Sequence, residues 1–458
     1  MDRVGLLYSL GSSPRGFIVT EVMVEGCDPS VQWGRNPGVT PGIMAPKLQM
    51  LILEASPSSG KGGQPLSTLE GARFLAQGGH GITLVAAQAG DLLEYYQRFC
   101  RAAIVVHPTR LDPTHWLSSS WGLLRTIGKI SILRGTPPQN PPSSPQQSPH
   151  DRPLGLIYLS NHTSALLAVL LGKLFRWPVV LHIRTAITPG LIFHRQDRWA
   201  IAHIHHYLAV SESVKNEWVA HFKLPPQAIT VIPNGTDLGR FAPTDHPQAL
   251  RQPLGLAPNP LLISYVGRLA PQKGLEILLR AFAQLGATLG QPVQLAIAGT
   301  PSGFGTQREA QAYQQKLLQL QQELGLNHQV QFLGHLADPV PLYQASDLTV
   351  LPSIYPDPCP RSVLESLACG VPIVASRTGG IQETLQGEWA EFLVEPQDPE
   401  TLARGLGQWI QWRTTDPTLG DRCRAYAQAR LGSTATWQRV ESALLTVAQA
   451  SGNRRSRS

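Results

Sequence analysis

Short apolar runs alternate with helix-period stretches along most of this chain. The first run, LQMLILEAS from Leu48, is apolar at nearly every position, the pattern of a strand buried on both faces of a parallel sheet. A Gly-rich loop follows from Ser58 to Gly63, then a helical pattern from Leu66 to Gln77, then a second apolar run, ITLVAA. Together they predict a β-loop-α-β unit, the opening of a doubly wound domain. LGLIYLSN and WPVVLHIR repeat the pattern around a helix predicted over Ser164–Phe175. HHYLAVSE gives another strand, entering a helix at Ser211, and ITVIPNG closes the series. A polar, Pro-containing link from Thr236 to Pro260 leads to LLISYVGRLA, where the alternation restarts. It predicts helices over Leu275–Leu289 and Arg308–Leu324, strands VQLAIAG, VQFLG and LTVLPS, and a last helix near Trp437–Ala448.

This rhythm divides the chain. Residues 44–235 and 236–436 each read as one doubly wound α/β domain, and residues 437–458 as a helix crossing back to the first domain plus a basic, frayed tail. Within the first domain, residues 135–150 (GTPPQNPPSSPQQSPH) form a Pro/Gln/Ser-rich insert that cannot pack a core. Residues 1–43 are Gly-, Pro- and Ser-rich without a sustained period. They are expected to be disordered, or to precede the native start at Met44 or Met50.

The densest chemistry lies from Tyr355 to Glu383, YPDPCPRSVLESLACGVPIVASRTGGIQE. Asp357 and Glu365 flank a proline-punctuated turn and a helix start at Arg361, Ser362 and Val363. Free amides at a helix N-terminus suit a diphosphate, and a carboxylate just inside the helix suits a ribose diol. Gly370-Val371-Pro372 ends that helix and launches a strand, and Thr378-Gly379-Gly380 makes a second exposed loop. Upstream, GRLAPQKG sets Arg268 and Lys273 around a turn, a fork and a point charge able to bracket a diphosphate.

With these residues the chain resembles the retaining glycosyltransferases of family 4 (glycosyl transferase group 1). Asp357 stands in place of the first Glu of their Glu-x7-Glu signature. The resemblance runs from about Met50 to Ala448 and is strongest over Tyr265–Glu383. It implies the GT-B fold, two doubly wound (Rossmann-like) domains facing a central cleft. It also implies a nucleoside-diphosphate sugar as donor, with Arg268 and Lys273 on the leaving diphosphate, Asp357 on the sugar and Glu365 on the ribose. His335 and Leu336 would lie where the family grips the base through backbone groups. Gly62 and Gly63 would belong to the Gly-rich first loop facing the cleft, and His182, ending the VVLHIR strand, would contact the sugar. Beside it, Arg184 could hold an acceptor phosphate or carboxylate. A lone strand-end histidine is more often structural, and that reading stays open for His182.

Composition narrows the function class. A hydrophobic share of 42% with 15% charged residues is ordinary for a globular protein. No apolar run reaches the roughly 18–20 residues of a membrane-spanning helix, and the first residues lack a signal-peptide pattern, so a cytoplasmic location is expected. Five scattered cysteines show no metal-ligand spacing, and Cys359 reads as a bystander thiol. Residues 44–235 carry 17 Lys and Arg against 9 Asp and Glu, an excess that suits an anionic acceptor or membrane surface, with peripheral association. No nucleic-acid motif accompanies it. There is no Asp-x-Asp pair to hold a divalent cation, no lysine context for pyridoxal phosphate and no Gly-x-Gly-x-x-Gly after the first strand. The expectation is metal-independent transfer to a sugar, lipid-linked or small-molecule acceptor, in polysaccharide, glycolipid or glycoside synthesis, with no cofactor. A non-catalytic sugar-nucleotide-binding or partner protein of the same fold is the alternative.

Overall fold

Two parallel sheets carry the architecture. The structure is a computed structural model that describes residues 46–59, 63–107, 109, 111–112, 114–135, 153–187, 191–302 and 305–455. Residues 1–43, the insert beyond Gly135, Gly62 and the end of the basic tail therefore lie outside the described residues.

The first sheet contains β1 (Leu48–Glu54), β2 (Gly81–Ala86), β3 (Ala102–Val105), β4 (Leu154–Leu159), β5 (Val179–Ile183), β6 (His206–Ala209) and β7 (Ile229–Val231). Their spatial order is β3-β2-β1-β4-β5-β6-β7. The second contains β8 (Leu261–Val266), β9 (Val293–Ala298), β10 (Val330–Gly334), β11 (Leu348–Leu351), β12 (Ile373–Ser376) and β13 (Leu393–Val394), ordered β10-β9-β8-β11-β12-β13. Neighbours pair in parallel throughout; Leu51, for example, is in register with Thr83 on one side and Ile157 on the other. In each sheet the strand order reverses at the first strand, β1 or β8. Ligand crevices of open α/β sheets form at such a point, beyond the carboxyl ends of the strands. The loops after β1, β4, β8 and β11 are therefore the ones placed to work.

The nearly unbroken apolar runs become strands because helices cover both sheet faces. β9 and β12 are buried at every position, and the helix Leu275–Thr288 packs Leu278, Leu279 and Phe282 into the same core as Ile263, Leu295 and Val350. The two domains are joined twice. The chain leaves the first sheet near Thr236 and returns near Gly432, and the two crossings pair: the Thr236 amide donates to the Leu431 carbonyl (2.7 Å) and the Ser433 amide to the Thr236 carbonyl (2.9 Å). The final helix, Ser433–Arg455, then lays Trp437, Val440, Leu444 and Ala448 against Met50, Ile52 and Leu156 of the first domain.

Some elements escape the sequence pattern. β3 is a short, half-buried edge strand, too brief to show a period. The helix Trp116–Gly135 is apolar on two opposite faces, which erases the amphipathic signal. The final helix starts before Trp437 and continues through Arg455, so Arg454 and Arg455 close it instead of fraying. The Thr378-Gly379-Gly380 loop is not an open backbone platform either: Gly380 is buried, its amide donates to the Asp357 carbonyl (2.8 Å), and it braces the loop before the Arg361 helix.

Candidate active site

A cleft of about 1350 Å³ opens between the carboxyl ends of the two sheets, lined by residues of both. On the second-domain wall, β8 delivers Gly267 and Arg268. A side chain at Gly267 would crowd the Tyr265 hydroxyl (2.7 Å), and that hydroxyl donates to the Arg268 carbonyl (2.8 Å), fixing the turn. Lys273 closes the short turn Pro271–Lys273. The next residue, Gly274, has φ +71°, and a Cβ there would collide with the Pro352 carbonyl, so only glycine lets this turn dock on the exit of β11.

Lys273 is not an unengaged point charge. Its Nζ donates to Asp357 Oδ2, which also accepts from Ser353 Oγ (3.2 Å), and it lies 5.1 Å from the centre of the Tyr355 ring. Burial works against the ammonium, but the neighbouring Asp357 carboxylate outweighs it and holds the Lys273 pKa above its ordinary value. Both side-chain hydrogen bonds of Asp357 among the described residues fall on Oδ2, which leaves Oδ1 as an acceptor.

The helix Arg361–Ala368 points its first turn at the cleft. Arg361, Ser362 and Glu365 line it, as do His335, Leu336 and Gly63. Val363 departs from expectation: it is fully buried, and its amide already donates to the Pro360 carbonyl (3.3 Å), so it is not free for a phosphate. Glu365 accepts from the Tyr343 hydroxyl on Oε2 (3.0 Å) and from Arg361 Nε on Oε1 (3.0 Å). Each carboxylate oxygen can accept a further bond, so a diol can still be taken. Burial and then the Glu365 charge push the Tyr343 phenol far above its usual range, keeping it a donor. Each Nη of Arg361 donates to Glu70 of the first domain, two bonds of 2.9 Å each. Cys359 faces the same cleft, but burial pushes its thiol up to about 11, the state of a spectator.

The first-domain wall is less as expected. Arg184 reaches the cleft but is held from behind: Nη1 donates to Thr68 Oγ1 (2.8 Å) and Nη2 to the Tyr158 hydroxyl (3.2 Å) and to His182 Nδ1 (3.1 Å). His182 does not line the large cleft. It is 2% exposed, it bonds Tyr158 (2.6 Å), and burial and then Arg184 pull its pKa well below the ordinary value. From that position His182 supports Arg184 from beneath, and the structure does not place it on the large cleft where its predicted sugar contact would be made. With Nδ1 accepting from Arg184, the proton sits on Nε2, which has no partner.

The sequence reading missed Glu70, Tyr343 and Ser353. Each acts through a neighbour that only the fold supplies, and Glu70 in LSTLEGARF looks like any solvent-facing helical acid. It also missed Glu383 in the second domain, whose carboxylate caps the first-domain helix Glu212–Phe222 by accepting from the amides of Glu212 and Ser213 (2.7 Å each).

Residues 247–430 match the family model of glycosyl transferases group 1, and residues 149–240 match that of glycosyltransferase family 4. The match identifies most of the second domain with the group 1 glycosyltransferases. Among curated relatives, the D-inositol 3-phosphate glycosyltransferase of Salinispora arenicola is 30% identical over 261 residues, covering 55% of this chain and 56% of that protein. The chain spans about half the length of the curated relatives it matches. Among solved structures, Anabaena Alr3699/HepE in complex with UDP-glucose superposes with a TM-score of 0.70 at 22% identity, covering 87% of this chain and 99% of that one. The sucrose-phosphate synthase of Thermosynechococcus elongatus gives 0.65 at 23%, covering 88% and 100%. These likenesses show the fold, which is GT-B. The matched segment of the second domain contains Arg268, Lys273, Asp357, Arg361 and Glu365.

Proposed function

We propose that this protein transfers a sugar from a nucleoside-diphosphate sugar to an acceptor hydroxyl, with retention and without a metal ion. The observation that carries the reading is the set of second-domain side chains that line one cleft. Arg268, the Lys273–Asp357 pair, Ser362 at the start of the Arg361 helix and Glu365 all face it. Two cations, a helix start and two carboxylates suit a nucleoside diphosphate bearing a sugar.

Glu365 accepts from the ribose hydroxyls while Tyr343 and Arg361 fix its orientation. Arg268, Lys273 and the helix amides meet the diphosphate charge, which grows as the bond from the sugar anomeric carbon to the phosphate oxygen breaks and its electron pair stays on that oxygen. Asp357 Oδ1 accepts from a sugar hydroxyl. The acceptor oxygen attacks from the face the diphosphate is leaving, and its proton passes to the departing phosphate oxygen. No protein nucleophile takes part.

A named relative acts on an inositol phosphate and a structural neighbour binds UDP-glucose, which favours a polyol or sugar acceptor, free or lipid-linked, and a UDP-type donor. Such transfers build cell-surface polysaccharides, glycolipids and glycosides, and the reading sets this one in the cytoplasm or on the membrane's inner face. Among the described residues no helix is long and apolar enough to cross a membrane.

The second reading, a sugar-nucleotide-binding protein without turnover, rests on Asp357 being tied to Lys273. Incubation with UDP-, GDP- and ADP-sugars, with and without EDTA, separates the two. Acceptor-stimulated release of nucleoside diphosphate, unchanged by EDTA and giving a product of the donor's anomeric configuration, is the expected result. Tight binding of a sugar nucleotide with no release would favour the second reading.

A further inference from the structure

The helix Trp116–Gly135 buries one face, through Ser119, Leu123, Thr126 and Ile130, in the core of the first domain. Its opposite face is also apolar, and it is bare. Leu117, Trp121, Leu124 and Ile132 are 61%, 67%, 60% and 73% exposed. At 100° per residue these four fall within one narrow sector of the helix. Exposed Arg125 and Lys129 border that sector on one edge, and the helix contains no acidic residue.

Single exposed apolar residues are unremarkable; a contiguous stripe rimmed by cations marks a docking face. We propose that this stripe lies in the interface of an anionic lipid bilayer. Trp121 and the leucines enter the headgroup–acyl boundary, and Arg125 and Lys129 pair with lipid phosphates. Charge complementarity selects this occupant. The excess of 17 cations over 9 anions in residues 44–235 gives the domain a long-range attraction to a negative surface, and the stripe gives it an apolar contact once there. A protein partner or a second copy would need an acidic rim, whereas this face is basic. The inference does not depend on the sugar chemistry.

Co-flotation with vesicles of zwitterionic lipid alone, and of the same lipid mixed with phosphatidylglycerol, tests it. The wild-type chain should float with the mixed vesicles at low salt, at least tenfold more than with the zwitterionic ones, and should release as salt rises. The surface double variant Trp121→Ser/Leu124→Ser should lose at least tenfold in binding while keeping the wild-type circular dichroism and nucleoside-diphosphate affinity. Equal flotation of the variant, or no flotation of the wild type at low salt, would overturn the proposal. So would a wild-type dimer in solution that the variant converts to monomer, because the occupant would then be a second copy.

Discussion

Glu70 and Arg361 sit on opposite domains and meet through two parallel hydrogen bonds of 2.9 Å. Arg361 lies in the first turn of the helix that presents Glu365, and its Nε holds Glu365 as well (3.0 Å). One guanidinium thus ties Glu365 to the far wall of the cleft. Gly63, also on the first domain, leaves room for it: a Cβ there would come within 3.0 Å of Arg361 Cδ. Burial works against the Arg361 charge, yet Glu365 and Glu70 raise its pKa above the ordinary arginine value. On the proposed function, donor binding and the relation of the two domains would be coupled through a fixed fork.

That fork is the first thing to break. Glu70→Gln keeps the shape and removes the charge, and it should cost roughly 1.5–3 kcal/mol of the interaction, the range for hydrogen bonds to charged groups. Donor affinity should fall although Glu70 touches no nucleotide. Hydrogen exchange should rise in the helix Gly63–Gln77 and in Arg361–Ala368 together. Unchanged exchange in both would mean that the fork does not join the domains in solution. Arg361→Lys should behave nearly as badly, because a point charge cannot bond two carboxylates bidentately.

Tyr343→Phe tests the other side of Glu365. Loss of one hydrogen bond to a charged carboxylate should lower nucleoside-diphosphate affinity by up to about 1.5–3 kcal/mol, while Glu365→Ala should lower it further. Calorimetric titration reads both. If Tyr343→Phe costs as much as Glu365→Ala, the tyrosine itself contacts the ligand.

Asp357 predicts an opposite sign. Asp357→Asn frees Lys273 from its partner and removes a negative charge from the diphosphate site. The affinity for free nucleoside diphosphate should stay level or rise, while transfer falls because the sugar loses its acceptor carboxylate. In the unliganded protein the uncompensated Lys273 should lower the melting temperature, and nucleoside diphosphate should restore more of it than in wild type. An affinity that drops as far as it does in Glu365→Ala would reassign Asp357 to the nucleotide.

The parallel strands, the switch-point loops and the residues from Tyr355 to Glu383 were legible in the sequence because their signals are local: apolar runs, glycine turns and a helix start next to an acid. What stayed hidden depends on approach in space. Nothing in the sequence near Glu70 names Arg361, 291 positions away, and nothing near Lys273 names Asp357 as its partner. The place of His182 depends on the same kind of approach. A strand end faces the cleft only if the chain turns there, and here Arg184, two residues on, takes that place while the histidine stays under it.

His182 also sets a pH dependence. Its folded pKa is depressed, by burial and then by Arg184, while the unfolded value is the ordinary one near 6.5. Below about 6.5 the unfolded chain binds the proton first, so stability is fully present above that pH and is lost as pH falls toward the folded value, with a slope approaching 1.4 kcal/mol per pH unit. Tyr158 and Arg184 face the ring, and burial raises the pKa of the nearby buried Glu54, which makes its ionisation in the folded state unfavourable as pH rises. His182→Asn should flatten the acid limb between about pH 5 and 6.5 without abolishing nucleotide binding. Chemical denaturation across that range checks it; an unchanged slope would place the titration elsewhere.

The position of Asp357 is finally a matter of backbone contact. Gly380 lies against the Asp357 loop so closely that a Cβ there would collide with the Pro358 carbonyl, and its amide donates to the Asp357 carbonyl (2.8 Å). Its φ is ordinary, −73°, so Gly380→Ala introduces a steric clash and no left-handed strain. Overpacking of this kind typically costs about 1–3 kcal/mol, and the element that must move is the loop carrying Asp357. Transfer should therefore fall by at least tenfold, while nucleoside-diphosphate affinity, set by Glu365 and Arg361 on a separate helix, changes little. Gly387→Ala is the control: it adds strain at φ +63° but meets no atom within 4 Å, so it should cost stability without touching transfer. If both variants lose transfer equally, the loop contact is not what places Asp357.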